Sequence, residues 1–338
     1  MSATPRTPFS RRAFTGALLA APLALAACGT TEPAQSGGGG AAGGKASGGA
    51  EEIVVTDVTG KEITLPAPAS KVVALEWMNV EDCLVAGVEP IGVSDLEGYN
   101  SWVKSAPLAT EPTDVGMRTE PSVERVAELE PDLILGIAGS VPEAAQTQMA
   151  KIAPIVLLNP ADASDPLGRM RENTVTTGKL LGHEADSQAA VDAFDAHMAT
   201  AKEKLAASGG ADAPFVFVYI YLAGNDVSVR MHGPRSLPGA VAAEIGLKNA
   251  WEDPGDDAYG LSTTDLEGLL ALPADTRMVY WANTGEGDPT EQLADNAVWQ
   301  RIPPVQSKQV SPIADGVWMY GGPLSMTAWT DALVEALG

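Results

Sequence analysis

The chain has 338 residues, with 21 Lys and Arg against 44 Asp and Glu, a formal net charge of −23. So acidic a chain argues against nucleic acid as a partner and against adhesion to anionic lipid through a basic patch. Hydrophobic residues make up 45%, enough for a sizeable core, and the length beyond the leader exceeds one typical domain, so two lobes are expected.

At the N-terminus Ser10-Arg11-Arg12-Ala13-Phe14 precedes an apolar run over residues 17–27, which ends in Leu25-Ala26-Ala27-Cys28. The run is too short to span a bilayer, and its charged start and small-residue end describe an export signal over residues 1–27. The S-R-R-x-F segment resembles a twin-arginine signal. L-A-A-C resembles a bacterial lipobox, in which the Cys28 thiol is lipidated and becomes the mature N-terminus. The alternative is a plain cleaved signal peptide. Residues 28–50 are nearly all small and would behave as a flexible leash of roughly 25 Å. Loss of residues 1–27, which hold three Arg and no acid, takes the net charge from −23 to −26. Cys28 and Cys83 are the only cysteines, so with Cys28 lipidated no internal disulfide is available. Cys83, among apolar positions, reads as a buried inert thiol.

In chain order, residues 71–75 read as a strand, 79–86 as a helix and 91–93 as a strand. Residues 122–129 read as a short helix, broken by Glu130-Pro131-Asp132 before a buried strand at 133–135. Asp165 suits an N-cap, Pro166 a first helical position and Gly182 a C-terminal stop, with a rod of roughly 24 Å between them. Its apolar stripe (Leu167, Met170, Val175, Leu180, Leu181) is incomplete, as suits a helix packed across two lobes. Residues 215–221 read as a strand and 238–245 as a helix. A helix capped at Thr264-Asp265 is expected to run through Leu266, Leu269 and Leu270, before a strand at 278–281. Strands alternating with helices predict parallel sheets. The expected fold is bilobal α/β: a lobe over residues 51–164, a single linking helix at 165–182 and a second lobe over 183–338.

No G-x-S-x-G, H-E-x-x-H or P-loop is present. The three histidines, His183, His197 and His232, read as solvated or structural, and no metal site or enzyme activity is expected. Tyr219 and Tyr221 share one strand face. Two phenolates there could hold ferric iron, but a core or interlobe packing role is favoured. Aromatic residues in Gly- and Pro-rich stretches stand out as a binding signal. Trp318 and Tyr320 lie two apart, Trp102 falls in a polar loop, and Tyr259 follows Pro254-Gly255-Asp256-Asp257. Arg118 is a lone cation in Gly116-Met117-Arg118-Thr119-Glu120-Pro121. The alternatives are a salt bridge for Arg118 and ordinary core for Trp318.

Four segments, residues 73–77 (V-A-L-E-W), 114–121, 246–251 and 317–325, closely resemble the ferric hydroxamate (ferrichrome-type) substrate-binding proteins of ABC importers. The likeness runs from residue 53 to the C-terminus. It implies a class III, helix-linked binding protein that holds an iron(III)-siderophore in a shallow aromatic cleft. It further implies that Arg118 contacts the hydroxamate oxygens and that Trp77, Trp102, Trp318, Tyr320 and Tyr259 line the cleft. Tyr259 stands where the family has a tryptophan, and Ser140 where it has a tyrosine. Glu143 and Glu267 fall where the family docks on permease arginines; alternatively they are solvated helix-start acids. The chain is thus expected to be a non-catalytic monomer without a cofactor, tethered outside the membrane and serving an ABC permease. The competing readings are haem, cobalamin or catecholate cargo on the same fold, or an anchored hydrolase or redox enzyme.

Overall fold

The structure, a computed structural model, describes residues 52–212, 214–224, 226–281 and 287–338. The export signal at 1–27, the lipidation at Cys28 and the linker to residue 50 lie outside the described residues. From Glu52 onward the described residues form one compact unit.

The first lobe opens with an antiparallel hairpin, β1 (Ile53–Thr56) and β2 (Glu62–Leu65). There follow β3 (Val72–Ala74), α1 (Trp77–Val85), β4 (Gly92–Val93), α2 (Leu96–Trp102) and β5 (Thr113–Asp114). A small hairpin, β6 (Gly116–Met117) and β7 (Glu120–Pro121), leads to α3 (Val123–Glu128), β8 (Leu133–Ile137), α4 (Glu143–Met149) and β9 (Ile155–Leu158). The sheet order is β5-β4-β3-β8-β9, parallel throughout. Every residue of β3, β8 and β9 is buried, because helices cover both faces and leave no side to turn toward water.

Helix α5 (Pro166–Leu181) links the lobes. The Asp165 carboxylate accepts from Gly168 N, Pro166 occupies the first turn, and Gly182 ends the helix at φ 75°, the start and stop legible in sequence. Its buried face is more polar than the apolar stripe suggested, and includes Asn173, Thr174, Thr177 and Gly178. Small side chains let α5 lie close on α6 (Glu184–Ser208): a Cβ on Gly178 would fall 2.2 Å from Ser187 Oγ.

The second lobe contains β10 (Pro214–Ala223), β11 (Asp226–His232), α7 (Leu237–Glu244), β12 (Lys248–Asn249), β13 (Leu261–Thr264) and β14 (Arg277–Trp281). Short α8 (Pro289–Gln292) and α9 (Pro303–Gln306) precede β15 (Val310–Pro312) and the C-terminal α10 (Pro323–Leu337). Here the purely parallel expectation is corrected. Strands β12, β14 and β15 run parallel with β10 or its neighbour, but β11 is antiparallel to both β10 and β13. Gly224, at φ 63°, turns the chain straight back, so β10 and β11 form a hairpin rather than a crossover. The helix expected from Thr264 to Leu270 is likewise corrected. Residues 261–264 pair with β11, and only a single 3-10 turn (Gly268–Ala271) follows. Pro273 forces Leu272 into an extended conformation (ψ 142°), which stops the helix after one turn.

One hydrophobic cluster crosses between the lobes, joining Trp77, Val80 and Tyr99 to Phe217, Trp318 and Trp329. Polar ties reinforce it. Glu81 of α1 accepts from Leu324 N and Ser325 N of α10, both at 2.9 Å, Lys104 N donates to Gly316 O at 2.8 Å, and Arg235 Nε donates to Ala163 O at 3.1 Å. A helical linker and a shared core thus join the two lobes.

Candidate functional site

The buried run 73–75 delivers Glu76 to the N-cap of α1, where its carboxylate accepts from Trp77 N at 3.1 Å. The β6–β7 hairpin closes with Met117 opposite Glu120, which puts Arg118 at the tip of a two-residue turn. Ser140 Oγ donates to the Arg118 carbonyl at 3.1 Å and steadies that turn. The guanidinium lies 3.9 Å above the Trp77 ring, whose Nε1 is held by the Ser94 and Asp95 carbonyls at 3.2 Å each. One edge of it meets Glu76 Oε1 at 2.6 Å, and Nε lies 3.8 Å from Asp95 Oδ2. Arg118 is therefore both ion-paired and, at 30% side-chain exposure, open to the gap between the lobes.

Across the gap, Trp318 and Tyr320 stand with ring centroids 5.3 Å apart, and Tyr259 sits edge-on to Tyr320 at 5.8 Å. Together with Glu76 and Arg118 they wall a cleft of about 370 Å³, within the roughly 300–1,000 Å³ typical of small-molecule sites. Trp318 is only 8% exposed. It packs against Trp77 (4.7 Å) and Trp281 (5.5 Å), so it serves the core and offers the cleft an edge. Trp102 ends α2 rather than lying in a loop; it packs on Trp281 at 4.9 Å behind the cleft and is not among the lining residues. Trp77 is buried beneath Arg118 and acts through it.

Arg230 of β11 also lines the cleft, a second guanidinium beside Arg118 that was not singled out from the sequence. It pairs across the hairpin with Tyr219 and lies 5.1 Å over the Tyr221 ring. The alternation V-S-V-R-M-H, which puts Arg230 on the face shared by the two tyrosines, was the available signal. Burial pushes the Tyr259 and Tyr320 phenols up to about 12, so both stay protonated and offer O–H rather than phenolate. His232 lies 3.2 Å from the Tyr320 hydroxyl and is held neutral, its pKa driven down to about 3 by burial and by Arg230.

Glu143 and Glu267 are exposed, one at the start of α4 and the other just before the 3-10 turn. His183 and His197 pair with Asp186 (3.0 Å) and Asp331 (2.8 Å) away from the cleft. Cys83 is fully buried and its thiol pKa is pushed up, which keeps it inert. Among the described residues no group of three His, Cys, Asp or Glu is placed to hold a metal ion, and no helix is long and apolar enough to cross a membrane.

The iron(3+)-hydroxamate-binding protein FhuD of Escherichia coli (strain K12) is 28% identical over 269 residues, 80% of this chain and 87% of that protein. The putative ABC transporter substrate-binding lipoprotein YhfQ of Bacillus subtilis is 24% identical, over 79% of this chain and 82% of its own. Among solved structures, Fe3+-Desferal-bound FhuD from Vibrio cholerae superposes with a TM-score of 0.69 at 27% identity, covering 79% of this chain and 97% of that one. These similar proteins are binding proteins rather than enzymes. A family model described as periplasmic binding protein matches residues 72–315, and with the two-lobed, helix-linked fold it shows that the chain belongs to the periplasmic binding protein family.

Proposed function

We propose that the chain captures iron(III)-hydroxamate siderophores outside the cell and delivers them to an ABC permease. The observation that carries this reading is Arg118, stacked on Trp77 and open to a cleft walled by Trp318, Tyr320 and Tyr259. A ferric trihydroxamate is about neutral and wrapped in hydrocarbon, so rings can hold it by apolar and edge contacts. A guanidinium adds hydrogen bonds to oxygens carrying partial negative charge. The chelate brings its own six donors, so the protonated tyrosines and neutral His232 need not bind iron. The likeness to the two FhuD proteins supports the hydroxamate assignment.

In this reading residues 1–27 direct export, the lipidated Cys28 anchors the protein to the outer face of the membrane, and residues 29–50 tether it. Exposed Glu143 and Glu267 meet the permease, one from each lobe. A second reading, an anionic catecholate or citrate complex as cargo, is favoured by one observation, the second guanidinium of Arg230. Tryptophan fluorescence titration against ferric hydroxamates, ferric catecholates, ferric dicitrate, haem and cobalamin separates them. Quenching by hydroxamates at the lowest concentrations is expected; tighter binding of any other class would overturn the proposal.

A further inference from the structure

We propose that Glu76 is a specificity-determining residue, which neutralises Arg118 and so makes the cleft select uncharged or cationic ferric complexes over polyanionic ones. The proposal rests on reading the cleft as a ferric-chelate site. Trp77 covers one face of the Arg118 guanidinium, so acceptors must approach its edges. Glu76 Oε1 already occupies Nη1 at 2.6 Å, and Asp95 Oδ2 stands 3.8 Å from Nε. The Glu76 side chain is only 10% exposed, so water does little to screen it.

A polyanion that reaches Arg118 therefore meets a carboxylate on the same nitrogen, and repulsion offsets much of the attraction. Neutral hydroxamate oxygens face a smaller penalty and can take the guanidinium N–H groups that Glu76 leaves. On the opposite wall Arg230 has no carboxylate within ion-pair distance among the described residues. Of the charged residues that line the cleft, Glu76 is thus set against Arg118 while Arg230 faces the opening from the other wall. The two halves of the cleft should push ligand preference in opposite directions when either is neutralised.

The test is fluorescence titration of wild type, Glu76→Gln and Arg230→Gln with three probes. These are Fe3+-Desferal (cationic through its pendant amine), ferrichrome (neutral) and a ferric tris-catecholate (anionic). Gln at position 76 keeps an acceptor for Trp77 N and removes only the charge. Glu76→Gln should raise the catecholate-to-Desferal affinity ratio by about tenfold or more, the scale of one unscreened charge several ångström from a multiply charged ligand. Arg230→Gln, which leaves α1 untouched, should lower that ratio. A ratio within threefold of wild type in Glu76→Gln, or an unchanged ratio in Arg230→Gln should the first variant fail to fold, overturns the inference while ferrichrome binding to wild type keeps the chelate reading. Failure of every probe to quench wild type overturns both.

Discussion

Helix α10 begins without a cap of its own, and Glu81→Ala exposes the consequence. Gly322 at the N-cap has no side chain and Pro323 no N–H, so the first free donors are Leu324 N and Ser325 N. Both are served from the other lobe by Glu81 Oε1 at 2.9 Å, while Ser325 Oγ donates to Oε2. Truncation to Ala leaves the Ser325 N–H buried and orphaned and the Leu324 N–H half-buried, at about 1–3 kcal/mol for a fully buried donor. Relief of the desolvated carboxyl returns part of this, for a net loss of about 2 kcal/mol, the upper end of what an ordinary cap contributes. For a domain of this size that lowers Tm by roughly 3 °C. Urea unfolding followed by tryptophan fluorescence measures it, with Glu81→Gln as companion. Gln keeps the oxygen that receives both amides and should lose less than half as much. A Glu81→Ala midpoint indistinguishable from wild type, or equal damage from Gln, would refute the capping argument.

Three further outcomes are expected. Asp82, buried with one hydrogen bond from Thr174 Oγ1, has its pKa raised from 3.8 to about 8, chiefly by desolvation. The native state therefore holds a proton that the unfolded chain releases, and stability falls as pH rises from about 4 toward 8. Burial pushes the Glu81 carboxyl up as well, so Asp82→Asn should lessen that fall rather than abolish it, and parallel Tm curves for the two proteins between pH 5 and 8.5 would refute the assignment. Arg118→Ala should weaken ferric hydroxamate binding by about 30-fold, mostly through a faster off-rate in stopped flow, and a change below threefold would remove Arg118 from the site. Trp318→Ala should cost about 3–5 kcal/mol in urea unfolding as well as affinity, because the indole sits in the interlobe core. An unchanged midpoint would place it outside that core.

Much of the frame was legible in the chain. The Asp165-Pro166 start and Gly182 stop of α5, the buried run at 73–75 and the inert Cys83 each depend on conditions met within a few residues. Those conditions are orphan N–H groups, a positive φ and an apolar stretch with no polar face. Trp318 and Tyr320, two apart in an extended stretch, and the segment carrying Arg118 are residues that the fold brings to the cleft wall. What only the tertiary structure decided are the partnerships across long separations. Glu76 holds Arg118 from 42 positions away, and Glu81 caps a helix 243 positions on. The β10–β11 hairpin turns Arg230 into the same gap, and the interlobe core claims most of Trp318. Local rules specify which backbone a residue prefers and which face it shares. Which charges meet, and which ring lies at the rim rather than inside, depends on the surfaces that folding presses together.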